Sequence, residues 1–264
     1  MARRGLSGAV AAALLVLVSV AAALLLYLWA GSVAAGGGQR PHALPALKID
    51  AVEPVRGAGG RCVYFRVYVR NVGTATTVID GNASGYVEGL EGAVAAASAP
   101  LRERRLAPGD SASFSLVPLW AVNRPGRVRV VASGGVEASA SVRGCGVSPI
   151  GTVLLLPAVD GASASRRLPG GVVVGARVEY VTASGGETLY RVWYNVSLPA
   201  GVTLTYLRAE ILTVDGVHPV WAGNPVVEYT STVSGPNYVA DYWEPVRESE
   251  FPVTVVVSVE YSYS

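Results

Sequence analysis

The residues of this sequence that could carry catalysis do not form a recognised catalytic pattern. The two histidines, His42 and His218, have no neighbouring residues that would suggest a metal site or a catalytic triad. No zinc-protease, hydrolase or phosphate-loop motif is present, and the glycine-rich stretch at residues 57–60 precedes a predicted strand rather than a helix. The sequence therefore predicts a non-enzymatic protein without catalytic residues, a metal site or a cofactor.

Two acidic residues near the C-terminus are close enough in sequence to be considered as a catalytic pair. Asp241 and Glu244 flank Tyr242 and Trp243, and paired carboxylates supply acid and base catalysis in glycoside hydrolysis. We favour the simpler interpretation, in which both carboxylates lie in a solvated loop. The aromatic residues of this loop are more informative, because exposed rings can stack on sugars or pack against another protein.

Trp193 is the clearest candidate for a contact residue. In the predicted strand at residues 188–198, the even-numbered residues from Tyr190 to Leu198 are apolar or aromatic, so alternation places Trp193 on the opposite face with polar neighbours. We therefore predict that Trp193, Tyr242 and Trp243 contact a ligand or a partner protein. The alternative for Tyr242 and Trp243 is that their rings fill the core, since aromatic residues are common in strands.

The two cysteines, Cys62 and Cys145, are the residues best suited to a structural covalent link. They form no CxxC pair and have no nearby histidine, which argues against a metal site. Alternation along the predicted strands puts both on outward faces, so the sequence predicts a disulfide that acts as a surface staple between the start and the end of a domain. The glycosylation sequons at Asn82 and Asn195 are compatible with an extracellular location.

An uncharged apolar segment runs from residue 6 to residue 29, directly after Arg3, Arg4 and Gly5. As a helix it would be about 35 Å long, enough to cross a bilayer core of about 30 Å. The two arginines predict a cytoplasmic N-terminus and an extracellular location for the bulk of the chain, at the cell membrane or cell surface. We predict a membrane-spanning or anchoring helix; the alternative is a signal peptide that is cleaved after Ala34.

The start of the chain also resembles a known processing signal. Arg3, Arg4 and Gly5, followed by the apolar Leu6, are similar to the class III signal of archaeal type IV pilins and archaellins. The resemblance implies that a peptidase cuts between Gly5 and Leu6, and that the mature helix packs against other helices in a filament core. Val10 stands where bacterial type IV pilins have a glutamate, so the resemblance is to the archaeal branch.

The rest of the chain predicts a β-rich structure. Short stretches of alternating apolar residues recur about every ten residues, with glycine and proline turns between them, which is typical of β-sandwiches. Segments 70–74 and 106–110 resemble those of immunoglobulin-like adhesion modules. The predicted fold is mainly β, with one N-terminal hydrophobic α-helix followed by two Ig-like β-sandwich domains. The predicted boundaries are a basic leader at residues 1–5, the helix at 6–30, a Gly/Pro hinge at 31–46, and the two domains at 47–146 and 148–264.

Composition limits the range of partners. Charged residues make up 15% of the 264 residues and the net charge is +2, so the chain has no basic field for nucleic acid. We predict a type IV pilin-like cell-surface protein, whose helix anchors in the membrane or packs in a filament and whose β domains mediate adhesion. Its expected partners are the membrane, other copies of itself or other pilins, and a surface glycan or protein. The alternative is a monomeric, membrane-anchored extracellular protein that binds a carbohydrate or a protein.

Overall fold

The computed structural model describes residues 16–27, 44–81, 85–142 and 146–263, with only the backbone of Ser184 and Glu244. The chain divides into two units, Met1–Ala43 and Leu44–Ser264. Residues 16–27 of the first unit form a helix, and the described part of the second unit consists of strands, turns and short 3-10 helices. The prediction of a mainly β fold with sandwich-like sheets is confirmed. The Ig-like character and the count of two domains stay predictions.

The described helix is shorter than the predicted one. Residues 16–27 span about 18 Å at the usual helical rise, whereas a bilayer core is about 30 Å thick. Within the described part of the chain, no helix is both long and apolar enough to cross a membrane. The prediction of a transmembrane helix is therefore corrected. The other residues of the predicted helix, 6–15 and 28–30, and the hinge up to residue 43 lie outside the described residues.

The first half of the second unit builds a seven-stranded sheet and a two-stranded sheet. Its strands are β1 (Leu47–Arg56), β2 (Cys62–Asn71), β3 (Thr77–Ile79), β4 (Gly85–Gly89), β5 (Gly92–Ala99), β6 (Arg104–Leu106), β7 (Ser111–Pro118), β8 (Arg127–Val131) and β9 (Glu137–Ser141). The larger sheet has the order β1-β2-β7-β5-β4-β8-β9, and β3 pairs with β6. The two edges, β1 and β9, lie close together, so the sheet curls around its own apolar core.

The second half builds a five-stranded sheet and a four-stranded sheet. Its strands are β10 (Ile150–Leu156), β11 (Ser163–Arg167), β12 (Val173–Ser184), β13 (Glu187–Leu198), β14 (Val202–Leu212), β15 (Val226–Tyr229), β16 (Val233–Ser234), β17 (Asn237–Arg247) and β18 (Val253–Tyr263). The five-stranded sheet has the order β10-β18-β14-β15, with β16 also paired to β14, and the four-stranded sheet has the order β11-β12-β13-β17. Short 3-10 helices occur at Ala58–Gly60, Pro169–Gly171 and Glu248–Glu250.

The five-stranded and four-stranded sheets pack face to face as a sandwich. Alternate residues of β13 point into this core, and they pack against apolar residues of β14 and β18. The sequence pattern explains the arrangement on β13, where Val192 and Val196 alternate with more polar residues, and Val255 and Val257 lie on the core-facing side of β18. Branched and aromatic side chains at these positions favour strands and fill the space between the sheets.

The five-stranded sheet is also covered on its second face. Val153, Tyr206 and Val256 point away from the sandwich core and pack against Val63 and Val117 of the seven-stranded sheet. Alternation of apolar residues with polar ones such as Thr254 and Ser258 of β18 is typical of a strand with one solvated face. The structure differs: the first seven residues of β18 are all buried, because a second sheet lies where the alternation predicts water.

Cys62 is buried, contrary to the prediction that it lies on an outward face. The ladder between β1 and β2 contains a bulge: Val55 is opposite Tyr64 and Arg56 is opposite Cys62, so Val63 is an extra residue. The bulge turns Cys62 into the core of the seven-stranded sheet, so the prediction of a surface staple is corrected. Cys62 is disulfide-bonded and not a free thiol, but Cys145 lies outside the described residues, so no disulfide between two described cysteines is found.

Candidate functional site

The outer face of the four-stranded sheet carries the predicted contact residue Trp193. Even-numbered residues of β13 point into the core, so odd-numbered residues point outward. The strand register aligns one outward residue from each strand, and we call this set the aromatic row: Ser163 of β11, Arg177 of β12, Trp193 of β13 and Tyr242 of β17. The sequence predicts a loop around Tyr242, but the structure has β17 there, and this strand brings Tyr242 directly opposite Trp193.

Trp193 is held in place by its neighbours on this face. The ring centroids of Trp193 and Tyr242 are 4.7 Å apart with an angle of 55° between the planes. The guanidinium carbons of Arg177 and Arg191 lie 5.1 and 5.6 Å from the Trp193 ring centroid, and Arg191 lies 4.6 Å from that of Tyr242. The indole Nε1 of Trp193 donates a hydrogen bond of 2.6 Å to Glu179 Oε2, an oxygen that is 3.7 Å from Arg191 Nη1.

This arrangement favours binding rather than bond chemistry. Aromatic rings beside guanidinium groups offer stacking surfaces, cation–π contacts and charge-assisted hydrogen bonds. The aromatic row contains no thiol, no histidine and no pair of carboxylates that could transfer a proton or attack a substrate. Tyr242 is 40% exposed, so its ring is accessible from solvent.

The other predicted contact residue, Trp243, lies in the core and not on the surface. It follows Tyr242 on β17, and successive residues of a strand point to opposite faces. Its ring is 2% exposed and packs 4.9 Å from the ring of Tyr194, while its Nε1 donates to the carbonyl oxygen of Asn224 at 3.1 Å. Trp243 is therefore a core residue, which is the alternative that the sequence left open.

The carboxylate of Asp241 makes a hydrogen bond within the sandwich. Its Oδ2 accepts a hydrogen bond of 2.8 Å from the hydroxyl of Tyr229. Burial, followed by this hydrogen bond to Asp241, raises the pKa of Tyr229 above its ordinary value. The side chain of Glu244, its proposed catalytic partner, is outside the described residues. The described contacts of Asp241 therefore indicate a structural role.

Of the remaining predicted site residues, only Asn195 lies within the described residues. Asn195 points outward from β13 and is half-buried, as the alternation predicts for a glycosylation site; its modification stays a prediction. The residues of the processing signal, one sequon and one cysteine lie outside the described residues: Arg3, Arg4, Gly5, Leu6, Asn82 and Cys145.

A polar cluster between the seven-stranded and five-stranded sheets escaped the sequence analysis. Glu210 is 2% exposed; its Oε2 accepts from the Tyr64 hydroxyl at 2.5 Å and is 3.3 Å from Arg208 Nη2. Its Oε1 lies 2.7 Å from His218 Nε2. Glu210 and Tyr64 are 146 positions apart, so no local pattern joins them. The one sequence signal is the pair of opposite charges at Arg208 and Glu210, two residues apart in a mostly apolar strand, which suggests a buried ion pair.

The electrostatics of this cluster follow from its burial. Burial alone would raise the pKa of Glu210, but the hydrogen bonds from His218 and Tyr64 and the charge of Arg208 outweigh it and hold the pKa below its ordinary value. Burial and the nearby Glu210 carboxylate raise the pKa of Tyr64. The cluster is therefore a charged contact that joins two sheets, and it contains no nucleophile.

Metal-ligand geometry within the described residues and comparison with known proteins assign no function. Over the described ranges, no group of three or more His, Cys, Asp or Glu side chains is placed to hold a metal ion. The sequence matches no protein-family model and no curated protein. The outer face of the four-stranded sheet is therefore the surface whose geometry indicates a function.

Proposed function

We propose that this chain is a non-enzymatic cell-surface binding protein whose contact surface is the outer face of the four-stranded sheet. The observation that carries the proposal is the aromatic row, in which Trp193 and Tyr242 pack at 4.7 Å beside the guanidinium groups of Arg177 and Arg191. Trp, Tyr and Arg are the residue types most enriched among binding hot spots. The extracellular location and the Ig-like character belong to the proposal and come from the sequence patterns.

Preorganisation supports this function. A ligand that orders flexible side chains loses affinity through their lost rotamer freedom. Trp193 already has its indole hydrogen bonded to Glu179 and its ring packed against Tyr242. Both strands that carry the two rings are paired along their length in the same sheet. Binding at this face would therefore require little rearrangement.

Replacing both rings, Trp193→Ala with Tyr242→Ala, tests the proposal. We expect the double variant to bind isolated cell envelopes and a panel of immobilised polysaccharides at least about tenfold more weakly, since hot-spot truncations cost more than about 1.4 kcal/mol. Retention of the full chain on each surface, kept in a non-ionic detergent, gives the measurement. Tyr86→Ala is the matched control, because Tyr86 also stacks under an arginine, Arg129 at 4.8 Å, on the other half of the unit.

The control distinguishes binding at a specific surface from non-specific adsorption. Equal losses of binding affinity in the double variant and in Tyr86→Ala would show that the four-stranded sheet is not the specific contact surface. Unchanged binding in the double variant, with a wild-type thermal midpoint, would refute the proposal.

A second function, assembly into a filament, is favoured by the character of the described helix. Residues 16–27 contain no charged side chain, and the hydroxyl of Ser19 donates to the carbonyl oxygen of Val16 at 2.9 Å. The apolar side chains of this helix, including Leu17, Leu25 and Tyr27, are exposed. A helix that is apolar around its whole circumference needs an apolar cover, and packing against the helices of other copies would supply one.

Mass spectrometry and electron microscopy test this second function. If the resemblance to archaeal pilins holds, the mature protein lacks residues 1–5, and filaments appear in sheared cell-surface material. Gly5→Trp is expected to block processing, whereas Ser7→Ala, beyond the cleavage point, is expected to leave it unchanged. A native protein that retains residues 1–5 and forms no filaments would favour the alternative, a monomeric anchored binding protein.

A further inference from the structure

A row of short side chains lies beside the aromatic row and forms a trough across the sheet. The register places Ser165 of β11, Gly175 of β12, Asn195 of β13 and Ala240 of β17 side by side on the outer face, and we call these four residues the trough. Neighbouring strands are about 4.8 Å apart, so the trough is about 14 Å long. Flanking rows start about 7 Å to either side along the strands, with larger side chains in both.

The floor of the trough offers unused hydrogen-bonding groups. The carboxamide of Asn195 lies over Gly175, where a Cβ atom would be 2.6 Å from Asn195 Oδ1. Within the described residues, no hydrogen bond to this carboxamide is found, although Asn195 is half-buried. The hydroxyl of Ser165 points to the same side of the sheet. A bound molecule with several hydroxyl groups would satisfy both side chains.

The two ends of the trough differ in chemistry. At the β17 end, Tyr238 in one flanking row is 62% exposed and Tyr242 in the other is 40% exposed, so two rings stand on either side of Ala240. At the β11 and β12 end, Arg167 in one flanking row and Arg177 in the other are exposed. No carboxylate partner of either guanidinium is found among the described residues. The trough is therefore aromatic at one end and positively charged at the other.

Building on the proposed binding function, we propose that the trough binds an acidic oligosaccharide that lies across the strands. Sugar rings stack on Tyr238 and Tyr242, hydroxyl groups bond to Asn195, and a carboxylate or sulfate group reaches Arg167 and Arg177. Charge complementarity selects an acidic ligand, because arginine forms paired hydrogen bonds with such groups. The polar floor selects a polyhydroxylated ligand over an apolar peptide segment, which would leave Asn195 without partners.

Matched charged and neutral polymers test this inference. The probes are polygalacturonate and its methyl ester, and dextran sulfate and dextran, which distinguish a carboxylate from a sulfate as the acidic group. The full chain is produced in a host that attaches no N-glycans, because a glycan on Asn195 would fill the trough. We expect binding to at least one acidic polymer, at least tenfold weaker binding to its neutral counterpart, and weaker binding with added salt.

Single variants assign the acidic contact to the trough. Arg167→Gln and Arg177→Gln are each expected to weaken binding to the acidic polymer by about fivefold to tenfold, a loss of about 1–1.4 kcal/mol. Tyr238→Ala is expected to weaken binding to a similar degree. Arg127→Gln is the matched control, since Arg127 is an exposed arginine on β8 in the other half of the unit. Each variant is checked by its thermal midpoint.

Three outcomes would overturn the inference. In the first, the protein binds acidic and neutral polymers equally. In the second, Arg127→Gln loses as much binding affinity as the trough variants. In the third, the protein binds only protein components of the cell envelope. If Trp193→Ala with Tyr242→Ala still weakens binding to the envelope at least tenfold in these cases, the proposed contact surface survives and only the acidic ligand is excluded. If that double variant also binds normally, both proposals fail.

Discussion

Tyr242 and Trp243 are adjacent in the sequence but have opposite environments. Tyr242 points outward into the aromatic row, and Trp243 points inward against Tyr194. Because side chains alternate along a strand, the role of each ring depends on the register of β17 and not on its residue type. The sequence could predict the outward position of Trp193 from the clear alternation of β13. It could not do the same for β17, whose Asp241 and Pro245 interrupt the apolar pattern.

The two tryptophans should therefore respond differently to truncation. Trp243→Ala is expected to lower the free energy of unfolding by about 3–5 kcal/mol, because it leaves a large cavity in the sandwich core. Trp193→Ala is expected to lower it by about 1 kcal/mol, through the loss of surface ring contacts. Urea denaturation of both variants measures the difference. Comparable destabilisation by the two substitutions would contradict the assignment of Trp243 to the core and Trp193 to the surface.

The β12–β13 hairpin is the element that positions most of the binding surface. It joins two long strands through Gly185 and Gly186, whose φ angles are +61° and +85°, and Ser184 is paired with Glu187. A two-residue type I′ hairpin turn requires positive φ at both central residues, and its backbone twist matches the twist of the flanking strands. This turn, together with the bulge between Tyr180 and Thr182, sets the register that places Arg177 opposite Trp193, since a shift of one residue would move every side chain to the other face.

Substitutions at Gly185 test the requirement for positive φ. Gly185→Val is expected to destabilise the protein by about 1–2 kcal/mol, because a branched side chain is strained in the left-handed region. Gly185→Asn is the matched control and is expected to change stability by less than about 0.5 kcal/mol, since Asn-Gly is favoured in such turns. Thermal denaturation of both variants provides the measurement. If valine were tolerated as well as asparagine, backbone strain at this turn would not control its stability.

At the scale of the whole second unit, its two halves are joined by both apolar and charged contacts. The apolar contact includes Val117 and Val256. The charged contact centres on Glu210, which Tyr64 reaches from the seven-stranded sheet. Removing one member of a buried charged contact costs more than removing an exposed one, because the remaining groups stay desolvated. The stability of this unit should therefore depend on the ionisation of Glu210.

The pKa of Glu210 predicts the direction of that dependence. Because its pKa is lower in the folded protein than the ordinary value of 4.5, its carboxylate stabilises the fold above that value. This contribution is lost as the pH falls below 4.5 through the folded pKa. Glu210→Gln is expected to lower the free energy of unfolding by about 2–3 kcal/mol at pH 7, with a difference from wild type that shrinks below pH 4.5. Urea denaturation at a series of pH values measures both effects.

Glu53→Gln is the control for this prediction. Glu53 also accepts a hydrogen bond from a tyrosine, Tyr68 at 3.0 Å, but this pair is exposed on the seven-stranded sheet. Exposed pairs contribute little to stability, so this substitution should leave the acid dependence unchanged. A wild-type pH profile in Glu210→Gln would show that the buried carboxylate does not control acid stability.

Local pattern in the sequence by itself determined the mainly β class, the positions of strands such as β2, β13 and β18, and the outward direction of Trp193. Alternation specifies two faces of a strand, but it does not specify what covers each face. Only the tertiary structure decided that a second sheet buries the polar face of β18, that a bulge turns Cys62 inward, and that Tyr64 meets Glu210. The aromatic row and the trough were likewise decided by register, because each joins one residue from four strands that are far apart in the chain.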